Sequence, residues 1–111
     1  MDTEKLLHDL ITDRLRRRFA KEYKDIKVNA EGSPDLSLGS HGLTVAFVEV
    51  ETENSITPEK AKLWRELAQS GSKLILMVPQ NAKAKAVELL WQQGIADKVG
   101  VGSYEIRITM P

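Results

Sequence analysis

The chain has 111 residues, 16 lysines and arginines against 16 aspartates and glutamates, 41% hydrophobic residues and no cysteine. That length suits one domain, residues 1–111, and the missing thiols exclude disulfides, thiolate zinc sites, iron–sulfur ligation and a cysteine nucleophile. No apolar run approaches the roughly 18 residues of a membrane span, the opening MDTEKLLHDL is too acidic for a signal peptide, and zero net charge removes global basicity as a sign of nucleic-acid binding; a cytoplasmic, non-membrane protein is expected.

Leu7, Ile11, Leu15, Phe19 and Tyr23 recur every four residues, with Leu6 and Leu10 beside them, which predicts an amphipathic helix over residues 3–23. Ile26-Lys27-Val28 alternates like a short strand. Residues 35–39 alternate again, and Ser40-His41-Gly42 reads as a hairpin turn into a strand over residues 43–52. The run LTVAFVEV is apolar on both faces, as expected of a central strand covered on each side. Thr57-Pro58-Glu59 supplies an N-cap, an N1 proline and an early acid for a second helix with an Ala61, Trp64, Leu67, Ala68 stripe, ended by Gly71. Residues 73–78 form another buried strand that stops at Pro79. Asn81 is placed to cap a third helix facing inward through Val87, Leu90 and Trp91 and ending at Gly94. Gly100-Val101-Gly102 reads as a bend into a last strand over residues 99–110, with Tyr104, Ile106 and Ile108 on one side. The sum is an α/β domain with a mixed sheet and helices packed on it.

The chemistry gathers at the end of the third strand. Glu49 and Glu51 are two apart, so they share a face with Cα atoms about 7 Å apart, beyond Val45 and Phe47. Glu53 extends this acidic face if the strand lasts that long. Across the hairpin, Asp35 falls opposite residues 48–50, close to Glu49 and on the face away from Leu36 and Leu38. Three carboxylates about 5 Å apart repel by about 3 kcal/mol per pair at an effective dielectric of about 20, and a divalent cation is the usual remedy. All-carboxylate donors favour Mg²⁺ or Mn²⁺, and such an ion activates water and orients phosphate.

Pro34-Asp35, a hairpin, an apolar strand ending Val48-Glu49-Val50-Glu51-Thr52, a helix and a further buried strand together resemble the PD-(D/E)XK nuclease superfamily over residues 3–79. The resemblance implies a restriction-endonuclease-like αβββαβ core with a mixed central sheet flanked by helices, followed here by one more helix and strand. It implies metal-dependent hydrolysis of DNA phosphodiester bonds, with Asp35 and Glu49 as metal ligands. Glu51 stands at the motif lysine, a departure that makes it a ligand or the base that orients water. Lys60 and Lys62, on the following helix, are available for the lysine's role, as in members where that lysine has migrated. Without such a substitute the fold would be a nucleic-acid-binding or protein-interaction subunit that no longer cuts.

The superfamily often adds an acid from the first helix. Glu4, Asp9, Asp13 and Glu22 are the candidates; helical phase puts Glu4 and Glu22 on the apolar face, and Glu4 is preferred. His8, one turn beyond, reads as a packing histidine rather than a ligand. Arg14, Arg16, Arg17 and Arg18, with Lys21 and Lys24, make the first helix the most basic stretch, either a solvated face or a patch that follows a nucleic-acid backbone. Lys62 and Arg65 are surface cations near the acidic strand end. Trp64 and Trp91 read as core or interface residues. Residues 80–111 leave no room for a separate specificity domain, so a homodimer or a partner subunit is expected to supply recognition.

Overall fold

A computed structural model describes residues 3–29 and 32–106. The elements are α1 (Thr3–Phe19), β1 (Asp25–Val28), β2 (Leu36–Ser40), β3 (Leu43–Val50), α2 (Pro58–Ala68), β4 (Lys73–Pro79), α3 (Lys83–Gln92) and β5 (Val99–Tyr104), with single 3₁₀ turns before α2 and α3. The five strands form one sheet in the order β1-β2-β3-β4-β5. The first three run antiparallel, and β3, β4 and β5 are parallel, so the sheet is mixed. No helix among the described residues is long and apolar enough to cross a membrane.

Period-two alternation splits the core in two. Leu36, Leu38, Ala46, Val48 and Val50 face α1 and meet Ile11, Leu15, Phe19 and Tyr23. Leu74, Leu76 and Val78 face the other way, against Ala61 and Trp64 of α2 and Ala86, Leu89 and Leu90 of α3. The strand β3 is therefore covered on both sides, as its unbroken apolar run requires. The β2–β3 connection is a two-residue turn in which His41 and Gly42 both have positive φ, 54° and 79°, the conformation whose twist suits a hairpin. Thr57 caps α2, its hydroxyl accepting from the Lys60 N–H at 3.2 Å.

Several expectations are corrected. Leu6 and Leu10 are exposed, because only one stripe of α1 meets the sheet. The helix α3 begins after a 3₁₀ turn at Gln80–Ala82, so Asn81 does not cap it. The buried stripe of α3 is Ala86, Leu89 and Leu90, which turns Trp91 outward at 71% exposure, whereas Trp64 is fully buried. Gly100 and Gly102 lie inside β5, paired with Ile75 and Met77, rather than in a bend before it. Met77 fills the space above Gly102, where a Cβ would sit 2.5 Å from the Met77 sulfur. The strand β5 ends at Tyr104, leaving Ile106 exposed beyond it, and Ile108 lies outside the described residues.

Candidate functional site

Four elements converge where β2 begins and β3 ends. The register Leu36↔Val48 sets Asp35 opposite Glu49, and the main chains and side chains interlock there. The Asp35 N–H donates to Glu49 Oε1 at 3.0 Å, and the Val50 N–H donates to Asp35 Oδ2 at 2.7 Å. The Val50 N–H points toward β2 beyond the last ladder pair, so the Asp35 carboxylate ends the sheet as a side-chain cap. The Ser33 hydroxyl adds a 3.2 Å hydrogen bond to Glu49 Oε2.

Glu49 and Glu51 share the α2 side of β3, as their spacing predicts, and both are fully buried. Lys60, from the first turn of α2, reaches them together: its Nζ is 3.2 Å from Glu51 Oε1 and 3.7 Å from Glu49 Oε2. Ser55 donates to Glu51 Oε2 at 3.4 Å. Glu51 Oε1 accepts no hydrogen bond of good geometry; Lys60 gives it charge without an aligned donor. Burial pushes the Glu49 carboxyl up to about 7, helped by the charges of Asp35 and Glu51 and opposed by Lys60. Burial likewise pushes Glu51 up to about 7, against the pull of Lys60. The same burial works against the Lys60 ammonium, but Glu51 and Glu49 outweigh it and raise its pKa.

On the α1 side, His8 corrects the expectation of a packing histidine. Its Nε2 lies 2.8 Å from Asp35 Oδ1 and its Nδ1 lies 3.0 Å from Asp9 Oδ1. The hydrogen bond to Asp35 raises His8 to about 9, burial opposes it, and Asp9 adds to it. The ring is therefore an imidazolium at neutral pH, donating to both aspartates. Sequence reasoning missed this contact because it spans 27 residues; the available signal was a histidine on a stripe that faces a buried acid. Ser33 and Ser55 were missed as well, each adjacent in sequence to the acidic pattern without belonging to it.

Glu4 accepts from the Thr52 hydroxyl at 3.1 Å, which brings the first helix next to the end of β3. Asp9 and Asp13 are engaged on the outer surface, Asp9 by Lys5 and Asp13 by Arg16 and Arg17. Glu22 follows the helix and is exposed. Glu53 does not continue the acidic face, because the chain turns into a 3₁₀ helix after Thr52. Lys62 and Arg65 are exposed on α2, and the ammonium beside the carboxylates is that of Lys60. Of the α1 arginines, Arg14, Arg17 and Arg18 border a groove beside β5, whereas Arg16 lies on the other flank with Asp13. Tyr104 at the end of β5 donates to the Glu51 carbonyl at 2.6 Å; burial, with the charges of Glu51 and Glu4, pushes its phenol up to about 12, so it stays a donor.

The donor set of Asp35, Glu49 and Glu51 is all carboxylate, the donor chemistry a hard divalent ion takes, but the Lys60 ammonium already stands 3.2 Å from Glu51 Oε1. Among the described residues no group of three or more histidine, aspartate or glutamate side chains is placed to hold a metal ion. Lys60 and His8 instead supply the neutralising charge. No protein-family model, curated protein or solved structure matches the chain.

Proposed function

We propose that this chain is a metal-dependent nuclease of the PD-(D/E)XK type, with a restriction-endonuclease-like core, that hydrolyses DNA phosphodiester bonds in the cytoplasm within a homodimer or larger assembly. The observation that carries this reading is Lys60 bridging Glu49 and Glu51 beside Asp35, so that a helix-borne lysine stands with the acids of a motif whose usual lysine is a glutamate. Asp35, Glu49 and Glu51 would hold Mg²⁺ or Mn²⁺, with Glu4 as the first-helix acid. When bound, such an ion lowers the pKa of water and neutralises charge developing on phosphate. Glu51 either completes the metal shell or, left outside it, orients the attacking water. Lys60 holds the two glutamates in one orientation and keeps a positive charge where the phosphate must approach.

A second reading has its own support. His8 and Lys60 already neutralise the acids, which is what a nuclease-fold protein retaining only binding would need. Plasmid, linear, single-stranded and branched DNA incubated with the protein in Mg²⁺ or Mn²⁺ separates the two. Cleavage lost in Asp35→Asn, Glu49→Gln and Lys60→Met establishes the nuclease. Cleavage surviving both carboxylate substitutions refutes the site. Absence of cleavage, with no rise in Tm on adding Mg²⁺, leaves the binding subunit.

A further inference from the structure

We propose that the trough between α1 and the β5 edge binds the backbone of single-stranded nucleic acid and leads it to the acidic strand end. The proposal rests on the nucleic-acid reading above and adds the path and the strandedness of the ligand.

The sequence builds this trough from two sides. Gly100 and Gly102 pair with Ile75 and Met77, so they occupy the α1 side of β5, which up to Tyr104 has no side chain of its own there and is overlain by Lys73 and Met77 of β4. The helix covers Ile75 and Met77 but stops short of β5, leaving a groove of about 480 Å³. One wall carries Arg14, Arg17 and Arg18, on one stripe of α1, and Lys21 in the turn that follows the helix. Arg17 shares its charge with Asp13 at 3.1 Å. Arg14, Arg18 and Lys21 have no carboxylate within salt-bridge distance among the described residues, and all are exposed.

Tyr104 borders this groove and also a second one, of about 630 Å³, at the ends of the parallel strands, whose polar lining includes the acids Glu4, Glu53 and Glu105 with Thr52, Asn54 and Gln80. Its hydroxyl is fastened to the Glu51 carbonyl, so the ring is held at the junction next to the site. A cationic wall followed by a fixed aromatic ring is the arrangement that takes a single strand, phosphates on the cations and a base on the ring. A B-form duplex offers that ring no free base face.

Binding of fluorescent oligothymidylate, the matching oligouridylate and a blunt DNA duplex is measured by anisotropy in EDTA across a salt series. The single strands should bind more tightly than the duplex, with a log–log salt slope of about −2 from three free cations. Arg14→Ala/Arg18→Ala, with its fold checked by circular dichroism, should bring the slope to about −0.7. The charge-matched Lys83→Ala/Lys85→Ala, on the helix packed against the opposite sheet face, should leave it unchanged. Tyr104→Leu should weaken single strands about tenfold, and Tyr104→Phe, which keeps the ring but loses its anchor to the Glu51 carbonyl, should weaken them by less. A duplex bound more tightly than either single strand, or a slope indifferent to the arginine pair, overturns the trough. The DNA and RNA arms identify the sugar. Cleavage in Mg²⁺ with the slope indifferent refutes the trough and spares the nuclease; trough binding without cleavage does the reverse.

Discussion

Replacing Glu51 by glutamine should stabilise the protein, and only above the acid range. Glu51 is fully buried, one of its oxygens accepts no hydrogen bond, and its carboxyl is raised from 4.5 to about 7. That difference corresponds to about 3 kcal/mol against the ionised form, with the attraction of Lys60 already included. The sign follows from proton uptake. Between pH 4.5 and 7 the folded chain keeps a proton that the unfolded chain has released, so the Glu51 contribution to stability falls over that interval and stays low above it. Glutamine has nearly the same shape and no charge to desolvate.

The gain for Glu51→Gln should therefore be near zero at pH 4 and about 2–3 kcal/mol at pH 8, roughly 8–20 °C in Tm for a domain of about this size. Urea denaturation in EDTA at both pH values measures it, with exposed Glu53→Gln as the control that should move by less than about 0.5 kcal/mol. A variant no more stable than the parent at pH 8, or a gain equal at both pH values, would refute the reasoning. The same energy bears on function. A divalent cation that binds the ionised carboxylates recovers it, so saturating Mg²⁺ should raise the Tm of the parent at pH 8 more than that of Glu51→Gln.

Lys60→Met leaves two buried glutamates without their cation, and should cost about 3 kcal/mol at pH 8 but much less at pH 5, where both are protonated; denaturation at the two pH values checks this. The His8 ring should titrate by NMR near pH 9, and its bond to Asp35 should contribute up to about 3 kcal/mol below pH 6.5, lost as pH rises through 9. His8→Gln should accordingly be destabilised at pH 6 and close to the parent at pH 10. Gly39→Ala should cost about 1–3 kcal/mol in urea denaturation, because the new Cβ would lie 2.4 Å from the Leu43 carbonyl oxygen, a backbone atom that a side-chain rotation cannot clear.

Local signals governed which parts of the molecule the sequence disclosed. The β2–β3 turn, the Thr57 cap and the two-faced β3 run were legible because each depends on residues adjacent in the chain. Trp91 was misplaced because a helix stripe is settled by a small rotation: Ala86, Leu89 and Leu90 face inward, and Trp91 is one step of about 100° beyond Leu90. Gly100 and Gly102 were misread because glycine's usual meaning is a turn, whereas both lie inside β5, and at Gly102 the Met77 side chain occupies the space a Cβ would need. The contact of His8 with Asp35 has no periodic signature, since it depends on where α1 crosses the sheet.

The choice between Lys60 and Lys62 belongs with the legible features. Trp64 fixes the inward direction of α2, and Lys60, four residues before it, lies about 40° from that direction, whereas Lys62 lies about 160° away. Only Lys60 is thus phased toward the sheet, and its position three residues after the Thr57 cap sets it at the end of α2 nearest the close of β3. Period two places both glutamates on the α2 face, and the 3.6-residue period of α2 then selects the lysine that meets them. Two local periodicities and one connection of seven residues between Val50 and Pro58 therefore determine the acid–lysine cluster, while the imidazolium that completes it is determined by tertiary packing.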